Sequence, residues 1–130
     1  MDPGRHGNGS LVVFLHRGSW ADRYQAVTLA VTAAALGERV TVALFFEPLR
    51  LWAQGRFDEG APAEAGAARV ASLRETLDEA RRELELTVVA CDTAVRLAGP
   101  DPDAIRATVD RMVTLPQLWK TAREGTYLVI

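Results

Sequence analysis

Two kinds of hydrophobic pattern alternate along this chain. Residues 11–15 (LVVFL), 39–46 (RVTVALFF), 86–90 (LTVVA), 112–113 and 126–130 (TYLVI) are short, nearly continuous apolar runs rich in β-branched residues. Such runs are expected of strands buried on both faces. Between them, apolar residues return every third or fourth position. Tyr24, Val27, Val31 and Ala34 mark a helix over 21–36, and Val70, Leu73, Leu77, Ala80 and Leu84 mark one over 63–84 with its charges on the other faces. The charge run of that second helix reads as a solvated surface.

Local signals bound these elements. Ser19 with Asp22 three residues later is a capping-box-like start, and Gly37 is a stop. Asp92 or Thr93 can cap a helix that Gly99-Pro100 ends, and Asp101-Pro102 opens another over 102–109. Thr114-Leu115-Pro116-Gln117 opens a last helix to Arg123, with Gly125 as its stop. Residues 49–62 read as a long loop or short irregular helix carrying Leu49, Leu51, Trp52 and Phe57. That segment is either a lid or partner surface, or a stretch whose aromatics tuck onto the sheet edge. Strands alternating with helices at this pace predict an α/β domain, a parallel sheet with helices on both faces. Residues 1–10, with three glycines and a proline, are expected to be a mobile lead-in to a single domain over 11–130.

Composition narrows the function. At 130 residues, 48% hydrophobic and 25% charged, the chain has the make-up of an ordinary globular domain. A net charge of -2 with interspersed signs gives no basis for a nucleic-acid groove or an anionic-membrane patch. No apolar run approaches the roughly 20 residues of a membrane span, and the first residues lack a signal pattern, so a cytoplasmic location is expected. A single cysteine excludes an internal disulfide, dithiol chemistry and a Cys-rich metal site. Two histidines add no recognised ligand spacing, so neither a metal nor a cofactor is expected.

That cysteine, Cys91, closes the 86–90 strand and leads into a helix. In open α/β sheets, ligands collect at the carboxyl ends of strands, where helix N-termini also lower thiol pKa values. In a doubly wound order the first and third strands are neighbours, which would bring His16 and Arg17 of the first turn towards the thiol as anion-favouring groups. Ser19, Trp20, Asp92 and Thr93 complete the candidate substrate- or anion-binding set, with Asp92 opposing the thiolate if its charge faces the sulfur. The alternative is a buried, inert cysteine that packs as a small hydrophobe.

The lone cysteine ending the third strand as V-x-x-C-D-T-A-V-x-x-x-G, with Phe45-Phe46 closing the second strand before an apolar loop, resembles the DsrE/DsrF-like family, including TusD-type sulfur-relay subunits. The likeness runs from about residue 11 to 130. It implies a flavodoxin-like three-layer sandwich with a mostly parallel five-stranded sheet, assembling as dimers, trimers or hexamers with itself or with sister subunits. It also implies a persulfide on Cys91, received from a sulfur donor protein and passed to an acceptor. The first turn, His16-Arg17-Gly18-Ser19-Trp20, is more basic and aromatic than the small polar turn of the sulfur-relay subunits. Three functions are thus in view. The first is a cytosolic persulfide carrier or sulfurtransferase-like protein using Cys91. The second is a non-catalytic oligomeric module for a small ligand or protein, with a structural Cys91. The third, a one-cysteine peroxidase, lacks any peroxidase motif around Cys91.

Overall fold

The computed structural model describes residues 9–98 and 101–130. The expected lead-in, apart from Gly9 and Ser10, and the Gly99-Pro100 stop lie outside the described residues. Five strands form one sheet: β1 (Ser10–Leu15), β2 (Arg39–Leu44), β3 (Leu86–Cys91), β4 (Arg111–Val113) and β5 (Thr126–Val129). Every pairing is parallel, and the order is β4-β3-β2-β1-β5. The helices between them are α1 (Trp20–Ala35), α2 (Phe46–Ala53), α3 (Ala63–Ala67), α4 (Leu73–Glu83), α5 (Asp92–Ala98), α6 (Pro102–Arg106) and α7 (Leu115–Arg123). The molecule is a three-layer α/β sandwich of the flavodoxin-like kind. Its strand order corrects one expectation: β2, not β1, lies beside β3.

Side-chain alternation divides the core in two. Leu11, Val13 and Leu15 of β1, Val40, Val42 and Leu44 of β2, and Leu86, Val88 and Ala90 of β3 face a large core roofed by α1, α2, α4, α5 and α6. Val12, Phe14, Ala43 and Val89 face the other way, against Leu118 and Ala122 of α7. The chain steps β1 to β4 in one direction, and right-handed crossovers then put their helices on one face. The return to β5 places α7 alone on the other among the described residues.

Most caps form where the sequence places them. Ser19 accepts the Asp22 N–H, Thr114 and Gln117 form a reciprocal capping box, and Gly37 takes φ 94 to end α1. Two expectations are corrected. The helix expected over 63–84 is broken between α3 and α4. Arg69 turns to φ 57, and Ser72 caps α4 with help from Asp58, whose carboxylate accepts the Ser72 hydroxyl (2.7 Å) and the N–H groups of Leu73 and Arg74. The 49–62 segment is not a partner surface at its apolar residues. Leu49, Leu51, Trp52 and Phe57 are buried, the Trp52 indole donates to the Thr108 carbonyl at 3.1 Å, and the Arg74 guanidinium lies 3.7 Å from the centre of its ring. No described helix is long and apolar enough to cross a membrane.

Candidate functional site

The order of strands fixes where a cleft can open. α1 leaves β1 towards β2, while α7 delivers the chain to β5 on the other side, so the topological switch lies at the carboxyl ends of β1 and β5. A cleft of about 250 Å³ opens there. Phe14 and Val129 come from the two strands, Phe45 and Phe46 follow β2, and Leu115 and Trp119 come from the first turns of α7. His16 is the only titratable residue of the lining.

Aromatic packing builds the walls. Phe14 lies 6.2 Å from Phe45 and meets the edge of Tyr127 at 6.3 Å, and Tyr127 in turn contacts Trp119 at 5.1 Å. Such offset and edge-on pairs fix ring orientation as well as burying area. Phe46 joins the cluster through Phe45, whose ring centre lies 6.3 Å away, yet it is 46% exposed with a left-handed backbone at φ 48. A bulky residue avoids that region, because its Cβ crowds the backbone, at a cost of about 1–3 kcal/mol. The strain is held by the surroundings. Gly18 of the first turn packs so tightly on Glu47 that an added Cβ would sit 2.6 Å from the Glu47 Cγ.

The same first turn is clamped from the other side. Arg23, buried in α1, donates to the carbonyls of Gly18 (3.1 Å), Glu59 (2.6 Å) and Phe57. Burial pushes its guanidinium below the ordinary value, while Asp58, Glu47 and Glu59 hold it up. The clamp ties the turn after β1 to the loop after α2.

The expected site residues do not converge. His16 is exposed on the cleft, its N–H bound to the Ile130 carbonyl at 2.8 Å. Arg17 is exposed beside it. Ser19 is occupied as the α1 cap and donates to Asp22 at 2.7 Å. Trp20 stacks on Tyr24 at 5.1 Å and borders a different hollow with Asp58 and Ala65. Asp92 and Thr93 are exposed at the start of α5, a helix of only seven residues. Cys91 ends β3, opposite Val113 of β4, but the expectation of an open thiol is corrected: it is 4% exposed and packs within the large core. It lines none of the described hollows. Because β2 intervenes, neither His16 nor Arg17 stands on a strand next to it.

The cleft residues absent from the sequence-based set are Phe14, Phe45, Phe46, Leu115, Trp119 and Val129. Only Phe45-Phe46 gave a signal, as two aromatics at a strand end. No protein-family model matches this chain, and no curated protein matches it at a significant level.

Proposed function

We propose that this protein is a cytoplasmic, non-catalytic binding module that takes an aromatic or branched aliphatic group into the apolar cleft at the β1–β5 switch, beside His16. The observation that carries this reading is Phe46, half-exposed and strained, at the mouth of a cleft whose other walls are apolar. Strain of this kind persists where it presents a side chain for use. Cys91 is packing in this reading. Self-association, as dimers or higher oligomers or with sister subunits, accompanies it. Its support is the outer edge of β5, where Tyr127 and Val129 are exposed in a segment without charge or proline.

Indole, titrated into isotope-labelled protein and followed by NMR, tests the site. Saturable shifts are expected at Phe46, Trp119 and Val129. Phe46→Ala should weaken binding by about tenfold, the scale of one buried aromatic contact, and Cys91→Ala should leave it unchanged. Shifts scattered over the surface, or a response insensitive to Phe46→Ala, would remove the reading.

A persulfide carrier is the second reading. Its support is the position of Cys91 as the last residue of β3, next in the chain to the exposed Asp92 and Thr93 that start α5. The Cys91 thiolate would attack the outer sulfur of a donor persulfide. The donor S–S bond breaks, a new one forms at Cys91, and the donor leaves as a thiolate. The resemblance to the DsrE/DsrF-like family points the same way. Incubation with a cysteine desulfurase and cysteine should then add about 32 Da to Cys91, the mass of one sulfur, and Cys91→Ser should abolish the adduct. A thiol that stays unmodified until the protein unfolds leaves the binding module alone.

A further inference from the structure

On the flank of α7 away from the cleft, a groove of about 550 Å³ runs along the sheet towards β4. It exists because α7 packs chiefly over β1 and β5, leaving the β2–β4 part of that face without a helix among the described residues. Thr41 of β2 lies on its floor. The residue is only 7% exposed, and its hydroxyl has no hydrogen-bond partner among the described residues. Among the described residues no fully enclosed polar side-chain atom lacks a partner, so this hydroxyl is not fully enclosed and opens into the groove.

The walls are rich in donors. Arg111 of β4 and Lys120 of α7 line the groove, and neither forms an ion pair among the described residues. Gln117 spends its side-chain oxygen on the Thr114 N–H of the capping box, which leaves its amide N–H groups for the groove. Glu124 is the one acid in the lining. Leu118 and Val113 supply the apolar wall. Two cations, an amide and a buried hydroxyl facing one space call for a ligand rich in acceptors, and the volume is that of a small-molecule site.

We propose that this groove binds a small organic anion, its carboxylate or phosphate held by Arg111, Lys120 and the Gln117 amide, with its apolar body against Leu118 and Val113. The Thr41 hydroxyl gains its missing partner from the same ligand. The site is separate from the aromatic cleft, from which α7 divides it.

Phenyl phosphate is the probe, with phenol and inorganic phosphate as controls, read by NMR of the isotope-labelled chain. Saturable shifts of the Gln117 side-chain amide and the Arg111 Nε–H are expected, with both controls much weaker. Arg111→Gln and Lys120→Gln should each weaken binding by about tenfold, the scale of one charge-assisted hydrogen bond, and Phe46→Ala should not change it. Both charged residues are exposed and sit on different elements, so a spectrum of unchanged dispersion certifies folding in at least one variant. Thr41→Val, nearly isosteric, should weaken binding by a smaller factor. The proposal is overturned if the shifts map to the cleft, if phenol or inorganic phosphate binds as well as phenyl phosphate, or if neither charge variant matters. It is equally overturned if protein concentration alone moves the same signals, since a second copy would then fill the groove.

Discussion

Cys91 shows how one position can be read two ways until its surroundings are known. A thiol at a strand end can be a nucleophile, but here it lies among Ala94, Val95 and the aliphatic residues of the large core. Cys91→Ser places a hydroxyl in that setting and should cost about 1–3 kcal/mol, more than Cys91→Ala, measured by urea denaturation. A serine variant as stable as the parent would mean that water reaches the site. Glu59 offers a pH-dependent counterpart. Its carboxylate is gripped by Arg56, with Nε at 2.6 Å, and that hydrogen bond holds its pKa below the ordinary carboxylate value. A depressed folded-state pKa contributes stability above the unfolded value, lost as pH falls through the folded one. NMR titration should find Glu59 ionising below an ordinary glutamate, and Arg56→Ala should return it to that range.

Elements met their boundaries where the controlling group was local and missed them where it came from elsewhere. Gly37, Ser19 and the Thr114–Gln117 pair act within one turn of the helices they end or start. The break before α4 depends on Asp58, fourteen residues upstream of Ser72, and no periodicity reveals such a partner. Arg74 and Arg81, expected in a solvated charge run, instead lie over the Trp52 ring. Gly125 was legible as a stop, but its tighter constraint is spatial. A Cβ there would lie 2.5 Å from the backbone oxygen of Ser10, so the turn into β5 and the start of β1 touch main chain to main chain. Gly125→Ala should therefore destabilise by about 1–3 kcal/mol, an overpacking cost, visible as a lower urea midpoint.

At the scale of the whole molecule the two sheet edges differ. β4 is three residues long and carries Arg111, both of which discourage pairing with another chain. β5 presents Tyr127 and Val129, the latter 64% exposed, beside the half-exposed Trp119 and Leu115. These exposed aromatic and aliphatic groups line or flank the cleft, and contiguous apolar surface of this kind is often functional. Analytical ultracentrifugation should find self-association, and Val129→Lys, which puts a charge on that edge, should shift the population towards monomer. A chain monomeric at all accessible concentrations would remove this surface as an interface.

By itself the sequence determined what short-range chemistry controls: five apolar strands, the capped and glycine-stopped helices between them, and hence a parallel α/β sandwich. It placed His16 at the carboxyl end of the first strand, but beside the third strand and its cysteine, and not at the β1–β5 cleft. Only the tertiary structure decided which strands are neighbours, and so separated His16 and Arg17 from Cys91 by the width of β2. It alone buried the thiol, strained Phe46 and left one sheet face half covered by α7. The reason is physical. Hydrophobic periodicity says that a face is buried, but the partner that buries it is chosen by crossover direction and by contacts between residues far apart in the chain.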